Sequence, residues 1–289
     1  MIEIIFQKSQ DAQSLYDQLL DCFHNEQEKQ TILLIEDRNK VKLNINTMSY
    51  ESIKKVKQAF YEFIITTRRE DWFKKILSDH YFYDDSDEQQ QILEIIYSIL
   101  DGNREELACF LKGLDDDALI FAAIEDLFSD NISFSFDSFV MFRLKSFIEK
   151  LGRYVELAID EYKMEQEYQM FVQILRDFLD GREPQADHLH LVLEDGAVFF
   201  NADFTEIKRS ELVRAIDRKL IVNHPVYIDS VTIAPLLSIA PSTIYLYTDE
   251  PDQPLIRTIK NIFEERVNKR KIKEFYARKN AHFQISHKN

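Results

Sequence analysis

Glycine is nearly absent from this chain. Only 5 of the 289 residues are glycine, and Gly102, Gly113, Gly152, Gly181 and Gly196 never stand closer than eleven positions. Phosphate-binding loops need two or three glycines within about six residues, so that backbone amides can close on the phosphate. Nucleotide enzymes of the Walker and dinucleotide-fold types are thereby excluded. Cysteine is scarcer still: Cys22 and Cys109 each lie in a helical apolar pattern and read as small core residues. Neither a disulfide framework nor a cysteine-based zinc site is available, which suits a reducing compartment. No stretch approaches the roughly 20 apolar residues of a membrane span. The apolar start Met1–Phe6 lacks the basic flank and cleavage site of a signal peptide. A cytoplasmic protein without a membrane span is expected. His-Glu-x-x-His, Glu-x-x-His and Gly-x-Ser-x-Gly are also missing, which removes the familiar zinc-hydrolase, di-iron and serine-hydrolase patterns, and no cofactor is expected.

What the chain does have is aromatic and charged. It carries 22 Phe and 13 Tyr, with 45% hydrophobic and 30% charged residues, enough to bury a sizeable core. The net charge of −15 is unevenly spread: residues 71–141 carry −13, whereas residues 257–289 carry +7. The acidic segment is the expected internal counter-charge for the basic end. Lys269, Arg270, Lys271 and Lys273 would also suit the C-terminal end of a helix macrodipole.

Periodicity predicts an α+β protein with α/β units at both ends of a predominantly helical middle that contains one long helix. Residues 1–70 read β-α-β-β-α, with strands at Ile2–Phe6, Thr31–Glu36 and Val41–Ile45, one helix after Ser9 or Gln10 and another after Ser49. Residues 71–184 form the middle, of which 71–137 reads as purely helical. The acidic runs at 84–88 and 115–117 fit helix starts, because they lack the alternate oxygen ligands, central glycine and closing glutamate of a calcium loop. From Phe139 to Leu179 the 3.6 period persists as one helix, or as two with a break near Gly152, and Asp180-Gly181-Arg182-Glu183-Pro184 ends it. Residues 185–289 read β-β-α-α-β-α: a hairpin of His188–Leu193 and Ala197–Ala202 around Glu194-Asp195-Gly196, a helix at 206–219, an extension near Tyr227, a helix capped at Asp229 or Ser230, a strand at Thr243–Thr248 and a helix at 253–273. One composite sheet made from both ends and two separate layers are both compatible with this order.

Few residues offer chemistry. His188 and His190 alternate onto one strand face beside Asp187 or Asp195 and form a weak metal-site candidate. Glu161 and Glu165 share a helix face and would make an acid/base pair if buried. With Asp160 and Glu167 they otherwise form a solvated face or partners for Arg143, Arg153 and Arg176. Lys269, Arg270, Lys271, Lys273, Arg278 and Lys279, interleaved with Phe275 and Tyr276, form a weak nucleic-acid candidate.

The segment Phe139-Val140-Met141-Phe142-Arg143-Leu144 is followed by Tyr154-Val155 and by Asp160-Glu161-Tyr162, Glu165, Glu167-Tyr168 and Phe171. Together with Ile239–Ile244 and Thr258–Val267 these motifs resemble the YtxC-like family of sporulation proteins of endospore-forming bacteria. The resemblance implies a cytoplasmic bacterial protein associated with sporulation and supplies no catalytic residue or cofactor. The combined expectation is a non-enzymatic interaction or regulatory factor whose partner is a protein. Its surface would be the long helix, through Arg143, Arg153, Asp160, Glu161, Glu165 and Glu167. Two alternatives stay open: a small-molecule enzyme using Glu161/Glu165 or His188/His190, and nucleic-acid binding through the basic C-terminal helix.

Overall fold

A computed structural model describes the chain except residues 24, 112–114, 131–132, 218–219, 221–228, 230 and 287–289. It is an α+β protein built as two compact units, Met1–Met164 and Glu165–Asn289. Each unit has its own four-stranded mixed sheet, so the strands at the two chain ends do not share one.

In the first unit, strands β1 (Ile2–Ile5), β2 (Ile32–Ile35) and β3 (Lys40–Leu43) are antiparallel neighbours in the order β2-β3-β1. Alternation sends Ile2, Ile4, Val41 and Leu43 into the core. Helix α1 (Ser9–Asp21) buries Ala12, Leu15 and Leu19, and a short helix α2 (Glu26–Lys29) leads into β2. Ser49 caps α3 (Tyr50–Phe63) by accepting from the Ser52 amide at 3.1 Å. A π-helical turn, Ile64–Arg68, then carries the helix into α4 (Arg69–Tyr81), so residue 70 lies inside a continuous helical run. Arg68 leaves that turn to bond Asp11 and Asp71, each at 3.0 Å. Helices α5 (Ser86–Leu100), α6 (Glu105–Ala108) and α7 (Asp116–Asp130) follow. Asp85 caps α5 through the amides of Asp87 and Glu88, which explains the acidic run there.

Residues 71–137 are not purely helical. Phe134–Ser135 form strand β4, parallel to β1 and completing the order β2-β3-β1-β4. The free backbone edge of β1 takes up this short partner; two residues are too few for a period to show. Helix α8 (Phe136–Phe142) follows and ends where the Phe139 carbonyl accepts from both Arg143 and Leu144. Helix α9 (Lys145–Leu179) then runs unbroken through Gly152. The break therefore falls at Arg143–Leu144, where burying Leu144 redirects the chain, and not at the glycine. Leu144 to Tyr162 supply buried residues to the first core, while Val172, Leu175 and Leu179 belong to the second.

In the second unit, β5 (His188–Leu193), β6 (Ala197–Phe200), β7 (Thr243–Tyr247) and β8 (Val267–Arg270) are ordered β6-β5-β7-β8. The β5-β6 hairpin is antiparallel and turns at Gly196 with φ 143; the β5-β7 and β7-β8 pairs are parallel. One sheet face presents Leu189, Leu191, Phe199, Ile244 and Leu246 to α10 (Arg209–Ala215), α11 (Ile233–Ile239), α12 (Pro254–Phe263) and the end of α9. The other face presents Val192, Phe200 and Tyr247 to α13 (Ile272–Ser286).

The helix read across 253–273 is two elements. Glu264 adopts φ 47 and ψ −117, which no helix continues through, and Val267–Arg270 then pair with Ile244–Tyr247. The basic residues consequently lie on β8 and at the start and middle of α13, not at a helix C-terminus, and the macrodipole does not account for them. Helix α10 begins at Arg209 and not near 206, because the Ile207 amide bonds back to Phe199 and Glu206 bridges Phe200. Asp229 caps the turn before α11, accepting from the amides of Val231 and Thr232. Tyr227 and residues 218–219 lie outside the described residues.

Candidate functional site

The chemistry of the second unit collects on the α13 side of its sheet. Parallel pairing sets His188 and His190 beside Tyr245 on one face, since His190 is in register with Tyr245 and His188 with Thr243. The two imidazoles lie 5.5 Å apart. His190 is only 2% exposed. Its ring is stacked between Phe204 at 4.3 Å and Tyr245 at 5.2 Å. Nδ1 is 3.1 Å from the Tyr247 hydroxyl, which also bonds the Arg278 guanidinium. Arg278 can only donate to that hydroxyl, and the other imidazole nitrogen, Nε2, is buried. That buried atom has no partner among the described residues. Burial first, then the neighbouring His188 and Arg278, lower the His190 pKa to about 4, so it is neutral at pH 7. The ring is a walled-in core histidine. No group of three or more His, Cys, Asp and Glu suited to a metal ion occurs among the described residues.

Beside this stack lies the basic cluster. The Arg270 guanidinium sits 4.8 Å from the Tyr245 ring centre and that of Arg278 5.8 Å from it. Lys279 sits over Phe200 at 4.6 Å and Phe275 at 5.6 Å. Lys269, Lys271, Lys273 and Arg278 are exposed, and Arg270 and Lys279 are half-buried. None of these six cations forms an ion pair among the described residues. Carboxylates of residues 71–141 pair with first-unit cations: Glu125 with Lys57, Asp126 with Arg143, and Asp116 with Lys150. An open cleft of about 580 Å³ at the carboxyl ends of β7 and β8 is lined by Thr248, Asp249, Lys269, Arg270, Lys271 and Glu274. Tyr276 bonds Glu194 through its hydroxyl at 2.9 Å, and the residue is 48% exposed.

Glu161 is held by Arg104 at 2.7 Å, while Glu165 is exposed. Arg143 bonds Asp126 at 3.3 Å, and Arg176 bonds Glu264 at 2.7 Å. Arg153, Asp160 and Glu167 are exposed. Between Tyr162 and Tyr168 every α9 residue is exposed, and Met164 and Met170 are 57% and 64% exposed.

Sequence reasoning missed Tyr245, Tyr247, Phe204 and Phe275 as the setting of His190. Alternation within Thr243–Tyr247 was a usable signal for the two tyrosines; Phe204 and Phe275 arrive from other elements and had none.

No helix of the described residues is long and apolar enough to cross a membrane. No solved structure matches the chain. The "Uncharacterized protein YtxC" of Bacillus subtilis (strain 168) is 34% identical over 267 residues, covering 92% of this chain and 93% of that protein. The model of the YtxC-like family matches residues 54–268, and the chain belongs to that family.

Proposed function

We propose that the protein is a non-enzymatic interaction factor that engages a partner protein on the middle of α9, within the sporulation programme that the family resemblance implies. The observation that carries this is the solvent-exposed stretch of residues 163–167, continued by Gln169 and Met170, in a helix whose two ends are buried in cores. The helical backbone of this stretch is satisfied internally, and Met164 and Met170 face solvent. Exposed methionines flanked by Glu165 and Glu167 make an adaptable apolar contact with an acidic rim. The pairing of Glu161 with Arg104 supports a structural role for that acid. Co-purification from sporulating cells, repeated with purified components, tests the reading. A Met164→Glu/Met170→Glu variant with unchanged helicity should lose the partner that the wild type retains. Equal recovery by both proteins would overturn it.

A further inference from the structure

We propose that the β8–α13 face of the second unit binds single-stranded nucleic acid. The claim rests on residues other than the α9 stretch, and it begins from the six cations without ion pairs among the described residues. Arg270 lies on the α13 side of β8, Lys271 in the following turn, and Lys273, Arg278 and Lys279 on α13, while Lys269, in register with Leu246, alternates to the other sheet face and joins them at the cleft. At 1.5 Å per residue, positions 273 to 279 alone span about 9 Å of helix. A phosphate backbone can follow cations spread in this way, whereas one small anion cannot use them all. The net charge of −15 does not forbid it, since exposed charges are screened over about 8 Å at physiological ionic strength and the local balance governs attraction.

Aromatic groups supply the second requirement. Tyr276 exposes its ring among these cations, and Phe283 is a further exposed ring on the same helix. Bases stack on such rings without sequence preference. Arg270 and Arg278 are held against Tyr245, so their guanidinium groups are already ordered before a ligand arrives. The cleft of about 580 Å³ beside Lys269–Lys271 is large enough for a nucleotide, and Asp249 and Glu274 on its wall can accept hydrogen bonds from base or sugar. An anionic membrane fits less well. A helix that lies on lipid needs a free apolar face, and α13 spends Ile272 and Phe275 on the sheet.

The experiment is fluorescence anisotropy of the full chain with labelled single-stranded RNA and DNA 12-mers of one sequence. Matched duplex, inorganic phosphate as competitor, and phosphatidylserine vesicles are parallel arms. Each phosphate contact contributes a slope of about −0.7 in log affinity against log salt, so about four contacts make binding fall roughly 50-fold between 50 and 200 mM salt. Lys269→Glu/Lys271→Glu/Lys273→Glu should weaken binding at least tenfold at low salt, with an unchanged melting temperature showing that the fold persists. Tyr276→Ala should weaken single-strand binding while leaving the salt slope unaltered. RNA and DNA arms that differ would name the preferred strand within the proposal. No binding at 50 mM salt, equal binding by the charge-reversed protein, equal affinity for duplex, displacement by millimolar phosphate, or a preference for vesicles would each overturn it.

Discussion

The Tyr247 hydroxyl and Nδ1 of His190 share a hydrogen bond of 3.1 Å, inside a stack of Phe204 and Tyr245 that closes both faces of the imidazole. With Nδ1 engaged and Nε2 buried, the folded second unit favours the neutral ring. Its pKa lies near 4, against 6.5 for a free histidine. The unfolded chain thus binds the extra proton between those values, and the stability contributed by neutral His190 is full above about pH 6.5 and lost as pH falls toward 4. The loss amounts to about 3 kcal/mol at the low end of that window. Hydrogen exchange of β5 and β7 amides should accelerate relative to their intrinsic rates between pH 7 and pH 5. His190→Phe should flatten that dependence. Parallel pH profiles for the two proteins would rule this out.

A second acid-sensitive group sits in the first unit. Glu3 on β1 bonds Lys40 at 2.6 Å and Lys42 at 2.8 Å on β3. Those two hydrogen bonds, Lys40 first, lower its pKa to about 2. Its contribution is present above the ordinary carboxylate value of about 4.5 and disappears as pH falls toward 2. The single tryptophan, Trp72, lies in this unit, so its fluorescence reports unfolding there. Glu3→Gln should lower the urea midpoint at pH 7 and lower it much less at pH 2.5.

Gly152 lies in the interior of α9, and a methyl group added there meets nothing within 4 Å. Gly152→Ala should therefore stabilise the helix by about 1 kcal/mol, the usual propensity difference. In a unit of this size that raises the melting temperature by about 2–4 °C, read from Trp72 fluorescence. A lowered melting temperature would mean that the glycine serves a contact or a bend.

Phe136 is the hub of the first core, with ring contacts to Phe6, Phe60, Phe63, Trp72 and Phe139 at 5.0–6.4 Å. Phe136→Ala should cost about 3–5 kcal/mol, because five rigid rings cannot collapse into the space. Urea unfolding followed by Trp72 measures it, and a loss under 1 kcal/mol would deny the hub.

Much of the fold was legible where a local rule acts. Ile2 and Ile4 alternate, Ser49 and Asp85 cap, Gly181 ends a helix with φ 76, and Gly196 turns a hairpin. What stayed hidden depends on partners distant in the chain. Val267-Asn268-Lys269-Arg270 holds one apolar residue and becomes a strand only because β7 offers it a backbone ladder. The site divides in the same way. The common face of His188 and His190 follows from a period of two, but the sealing of His190 depends on Phe204 and Tyr245. The neutralisation of Glu161 likewise depends on Arg104, 57 positions earlier.

Strand β4 makes synthesis of the first unit a matter of order. β1 is made first, yet its outer partner consists of residues 134–135, so a nascent chain carries an open sheet edge for over a hundred residues of growth. Ile5 lies on that edge and is partly exposed even in the finished fold. Until Phe134 emerges, only β3 shields the strand, and the other side is available to any extended segment of a neighbouring nascent chain.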